Sequence, residues 1–116
     1  MKVSLNLPKT EILNIIALAK NAEMCRNINE SLKVLSNIWS DIESEPDFAD
    51  YEVCVQGELF RICGGFLLFY GQSKNLPNYQ LRGKNLLTKA IIIFDSLKLR
   101  DKSAESEVML AFAYWN

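Results

Sequence analysis

The sequence predicts an all-α fold of about five antiparallel helices. Three observations carry this. Apolar residues recur at steps of three and four over most of the 116 positions. Short breaks rich in Pro, Asn and Asp separate the periodic runs. Only residues 51–55 show β-branched alternation, and they lead straight into a longer helical pattern. With 49% apolar and 23% charged residues, the chain has the composition of a globular domain with one core.

The first helix is expected to open at Pro8, whose fixed φ suits a first turn, and to end near Met24 to Arg26. Its apolar stripe is Ile12, Ile15, Ile16 and Leu18 or Ala19. Asn27-Ile28-Asn29-Glu30 then reads as a capping box: the Asn27 side chain accepts from the Glu30 backbone, and Glu30 reaches back to the cap. Ile28, Leu32, Leu35, Trp39 and Ile42 put a second helix on one narrow face until Glu45-Pro46-Asp47 breaks it.

Asp47 or Asp50 can cap a third helix running to Ser73 or Lys74. Val53, Leu59, Phe60, Cys63, Phe66, Leu67 and Tyr70 cover more than one of its faces, so it should be central. Gly57, Gly64, Gly65 and Gly71 each weaken a helix by ~1 kcal/mol relative to alanine. Four in one run imply close approach by a neighbouring helix. After Asn75-Leu76-Pro77-Asn78 a fourth helix buries Leu86, Leu87, Ala90, Ile91, Phe94 and Leu97. A turn over residues 99–103 precedes a fifth, capped by Asp101 or Ser103 and carrying the apolar run 108–115.

Several function classes are disfavoured. The net charge is −1 with both signs interleaved, so neither nucleic acid nor an anionic membrane is an expected partner. Apolar runs such as 91–94 and 66–70 are short for a bilayer span. The first residues lack an apolar core and a cleavage site, so no secretion signal is expected and cytoplasmic residence is the default. Cys25, Cys54 and Cys63 form no Cys-x-x-Cys and the chain has no histidine, which argues against a disulfide framework and a zinc site; no cofactor is expected.

The acids at Asp41, Glu43, Glu45, Asp47, Asp50 and Glu52 lack calcium-loop spacing and suit a solvated turn and helix start. An enzyme is not expected. The usual acid–base residue is missing, Gly64-Gly65 lies within a helical pattern rather than a phosphate loop, and Arg61 and Cys63 fall on different helix faces.

One pattern resembles a known family. In the third helix Phe60, Gly64, Leu67 and Gly71 stand at the spacing of the first helix of a tetratricopeptide repeat. Gly83, Leu87 and Ala90 match the small-large-small triplet of its second helix, and Leu110-Ala111-x-x-Tyr114 looks like the start of another repeat. The repeat is a helix pair of about 34 residues. Here the interval from Gly71 to Gly83 is longer than usual by roughly two helical turns' worth of chain, around Asn75 to Gln80. Trp39, Glu45-Pro46, Glu58-Leu59, Gly64, Gly71, Lys84-x-Leu86-Leu87 and Tyr114-Trp115 are similar to a group of bacterial tetratricopeptide proteins with that same lengthened turn.

The resemblance implies a fragment of an α-solenoid, a right-handed superhelix. It divides residues 1–116 into an N-terminal helical pair (1–46), a degenerate repeat (47–98) and the first helix of a following repeat (101–116). It also implies that the chain is the N-terminal portion of a longer array. The implied function is a protein–protein interaction scaffold that binds a peptide or partner helix on a concave, largely apolar face. That face comprises Glu58, Arg61, Gly65, Leu68 and Phe69, with Glu105, Val108, Phe112 and Trp115 from the fifth helix. The family's carboxylate-binding variant uses Lys, Asn and Arg there, and only Arg61 fits. The alternative is a structural module without a peptide ligand that self-associates, with a homodimer through the exposed C-terminal helix as the expected form.

Overall fold

Five α-helices and no strand are found among residues 7–112 and Tyr114, the part of the chain described by the computed structural model. They are α1 (Lys9–Met24), α2 (Ile28–Leu35), α3 (Val53–Lys74), α4 (Pro77–Ser96) and α5 (Arg100–Phe112). Pro8 stands just outside α1 as its N-cap, and Ala19 rather than Leu18 is buried.

Three helices end in the same device, a left-handed residue that folds the chain back onto the last carbonyls. Arg26 (φ 54°), Asn75 (φ 56°) and Lys98 (φ 59°) take that conformation after α1, α3 and α4. The following N–H reaches back five residues each time: Asn27 to Ala22 O at 2.9 Å, Leu76 to Gly71 O at 2.7 Å, Leu99 to Phe94 O at 2.8 Å. This explains why only half of the expected capping box forms. Asn27 Oδ1 accepts from Glu30 N at 3.0 Å, but the Asn27 N–H already closes α1, so Glu30 has no donor to meet there.

The second helix is shorter than its periodicity predicts. It stops at Leu35, because Ser36 Oγ and Asn37 Nδ2 donate to the carbonyls of Lys33 and Val34 and compete with the helical ladder. The chain from 36 to 52 is irregular. Trp39 still reaches the core, anchored by Nε1 donating to Ser44 O at 3.0 Å, and Phe48 is buried in the same core against Phe60. Edge-to-face and stacked rings join Trp39, Phe66, Tyr70 and Tyr79, and tie this segment to α3 and α4.

The expected caps at Asp47 or Asp50 are not used by α3. Its N-cap is Glu52 and makes no side-chain cap bond, while Asp47 Oδ1 accepts from Ala49 N within the preceding turn. Similarly α5 begins at Arg100, ahead of Asp101 and Ser103, and the Ser103 hydroxyl donates to Asp95 instead. Leu97, expected inside, is exposed because α4 has already ended.

Helix α3 is central, as its apolar coverage predicts, and is buried from Gly57 to Leu68 except at Phe60. By length and mean hydropathy it could cross a bilayer, although its individual apolar runs are short. However, 67% of the relevant window is buried against the rest of the chain, as in the core helix of a folded domain.

Its closest neighbour is α4, which lies antiparallel. Gly57, Gly64 and Gly71 recur every seven residues along one seam, facing Phe94, Leu87 and Gln80, which recur every seven on α4. At the middle of the seam the backbones nearly touch. A Cβ on Gly64 would lie 2.9 Å from Gly83 O and Leu87 N, and one on Gly83 would lie 2.7 Å from Gly64 O. The lengthened turn expected before Gly83 is absent: α3 ends at Lys74 and α4 starts at Pro77, so the extra residues extend both helices along this seam.

Candidate functional site

The residues expected on a concave face divide into three groups. Glu58, Arg61, Gly65 and Leu68 are buried within the chain itself. Phe69 and Glu105 are half-buried, and Val108 and Phe112 are exposed on the outer side of α5. Trp115 lies outside the described residues. The groove these side chains were expected to line is therefore filled: α1 and α5 lie against α3 and cover it.

The charged members of that set are nevertheless brought together, as an internal network. Arg61 donates from Nη1 to both Glu23 oxygens at 2.7 and 2.9 Å. It also donates from Nε and Nη2 to Glu105 Oε1 at 2.8 and 2.6 Å. Glu58 accepts from Lys102 Nζ at 2.5 Å and pairs with Lys20 Nζ at 3.0 Å. Three helices each supply an opposite-charge pair three residues apart: Lys20 and Glu23 on α1, Glu58 and Arg61 on α3, Lys102 and Glu105 on α5. The order of signs reverses on α3, so two rungs form across α1, α3 and α5, which run in the same direction here.

Burial and counter-charge oppose each other in this network. Burial raises the Glu23 carboxyl above its usual range, and the Arg61 guanidinium only partly offsets it. Burial acts on Glu58 in the same direction, but Lys102 and Lys20 together outweigh it and hold that carboxyl below its usual range. For Arg61 burial favours the neutral form, yet Glu23 and Glu105 more than reverse this. Lys102 is raised chiefly by its hydrogen bond to Glu58. Each charge is thus satisfied inside the protein. Sequence reasoning missed Lys20, Glu23 and Lys102, although the three-residue spacing of opposite charges was readable.

The open site lies beside this network. A cleft of about 570 Å3 opens between the end of α1, the start of α2 and the second half of α3. Its floor is apolar: Ala19, Ile28, Leu35, Ile62, Phe66 and Phe69. Neutral polar groups such as Asn27, Gln72 and Asn75 form the rim, with Glu23 and Arg26 as its charged members. Of the expected binding residues among those described, only Phe69 lines it. The turn between α1 and α2 and the packing of both helices on α3 form this cleft, which is not visible as a spacing in the sequence.

No three or more acidic or cysteine side chains cluster as a metal-ligand set among the described residues. Cys63 is fully buried and its thiol is pushed well up by desolvation, whereas Cys25 is exposed. Comparison with protein-family models, with curated proteins and with solved structures finds no match for this chain.

Proposed function

We propose that this chain is a protein–protein interaction scaffold that takes an apolar side chain of a partner peptide or helix into the cleft between α1, α2 and α3. The cleft carries this reading. Its volume falls in the range of binding pockets, its floor is aliphatic and aromatic, and polar groups converge at its mouth. The ligand position thus moves from the α3–α5 face to the neighbouring α1–α3 side, with Phe69 common to both.

The tetratricopeptide-like reading is part of the proposal. In its support, Gly64 and Gly83 make the close crossing that a small-large repeat interface needs, with Leu87 beside it. The shared direction of α1, α3 and α5 fits first helices of successive pairs. Binding rather than catalysis fits a network in which the buried Glu58 and Arg61 are held by counter-charges.

The test is titration of isotope-labelled protein with an amphipathic helical peptide bearing leucines on one face, read by amide chemical shifts. Shifts should cluster at Ile28, Ile62 and Phe69, and Phe69→Ser should weaken them. Absence of shifts at millimolar peptide, or shifts confined to α5, would refute the cleft. A second reading, self-association, rests on the exposure of Val108 and Phe112, one turn apart on α5. Sedimentation velocity separates the two: a dimer that Val108→Lys dissociates would favour assembly.

A further inference from the structure

We infer that the segment the cleft accepts is acidic as well as apolar: an apolar side chain inserts, and a carboxylate next to it in the partner chain meets the rim. This rests on the binding role proposed above and specifies its ligand chemistry. The charge at the mouth supports it. Glu23 is the rim's acid, but its carboxylate is held by both contacts to Arg61 and its charge is matched there.

Arg26 is different. It projects from the turn between α1 and α2, is exposed, and makes no ion pair among the described residues. Lys74, between the lining residues Ser73 and Asn75 at the end of α3, is likewise exposed without such a pair. Among the lining residues Arg26 is thus the uncommitted cation and no acid is uncommitted, with Lys74 adjacent in the chain to two of them.

Backbone donors add to this. At the start of α2 the Asn27 side chain satisfies Glu30 N, whereas the N–H groups of Ile28 and Asn29 have no protein acceptor among the described residues. Ile28 itself lines the cleft, so these donors and Arg26 stand at one edge of the apolar floor. An acidic group suits this edge, where Arg26 is the unpaired charge among the lining residues.

The experiment uses two fluorescein-labelled decapeptides with the same Leu-Phe core, one followed by two glutamates and the other by two lysines. Binding is read by anisotropy against the full chain and an Arg26→Gln, Lys74→Gln double variant. Both substitutions are on exposed side chains, and circular dichroism should show the parent fold.

The acidic peptide should bind about three- to tenfold more tightly, a preference that shrinks with added salt and disappears in the double variant. Equal binding of the two peptides, or a preference that survives in the double variant, overturns the acidic specificity while leaving the cleft as a peptide site. If neither peptide binds, the binding role falls with it. Decanoate perturbing Ile28 and Phe69 when neither peptide does would make the occupant a free apolar carboxylate and overturn the proposal.

Discussion

Gly64 and Gly65 are adjacent in α3, and their surroundings give them different responses to alanine. Both substitutions gain the same intrinsic helix propensity, ~1 kcal/mol, so the difference between them isolates packing. At Gly64 the new methyl would lie 2.9 Å from Gly83 O, Leu87 N and Leu87 Cγ. Two of these atoms are helix backbone and cannot rotate away. Relief requires α3 and α4 to separate by about 0.5 Å, which loosens a seam that buries Leu67, Leu86 and Leu87.

At Gly65 the nearest atom is Glu23 Oε2 at 2.5 Å, followed by Met109 Cε at 3.1 Å. Both are ends of flexible side chains and can move. Overpacking of a tight core costs about 1–3 kcal/mol, so G64A should be less stable than G65A by about that amount, with G65A close to the parent. Urea unfolding followed by helical circular dichroism measures this, provided the slopes agree. The G64A, G83A double variant should lose less than the two single losses combined, because one separation of the helices relieves both contacts. A G64A protein as stable as G65A would refute the close crossing.

Four further outcomes follow from other parts of the molecule. Lys98→Gly should raise stability by about 1 kcal/mol, since a side chain in the left-handed region carries strain that glycine lacks; a lowered melting midpoint would contradict the turn geometry. Glu58 sits below its ordinary value of 4.5, so its contribution is complete above that pH and is lost as pH falls through the folded-state value. Glu58→Gln should therefore flatten the acid limb of a stability–pH curve. Glu23 has the opposite sign: the fold takes up its proton more readily than the unfolded chain, so Glu23→Gln should steepen the same limb. A thiol reagent should modify Cys25 rapidly in the native protein and Cys63 only on unfolding, as peptide mass mapping would show; equal rates would contradict the burial of Cys63.

The helical class, the central position of the third segment and the end of that helix near Lys74 were legible because each depends on local chemistry. Periodic apolar residues, an Asn suited to a left-handed closure and a Pro suited to a first turn act within a few residues of themselves. The glycines of α3 also signalled a close neighbour. Their seven-residue repeat became meaningful only once Gln80, Leu87 and Phe94 were found opposite. Helix α2 was overextended because Trp39 and Ile42 continue its apolar spacing. Spacing does not register that Ser36 and Asn37 hydrogen-bond back and end the helix.

The binding face was the least legible part. Glu58, Arg61 and Glu105 were expected together on a concave binding face, but a single helix pattern does not say whether such a face meets solvent or another helix. Covering depends on α1 and α5, about forty residues away on either side, and on whether their charges match those of α3 in register. Local sequence thus determined which segments are helical and where most of them end, since hydrogen bonds and side-chain periodicity over a turn or two suffice. Tertiary packing alone decided that the expected groove is filled by salt bridges and that a cleft remains beside it, because burial is a property of neighbours that only the folded chain brings into contact.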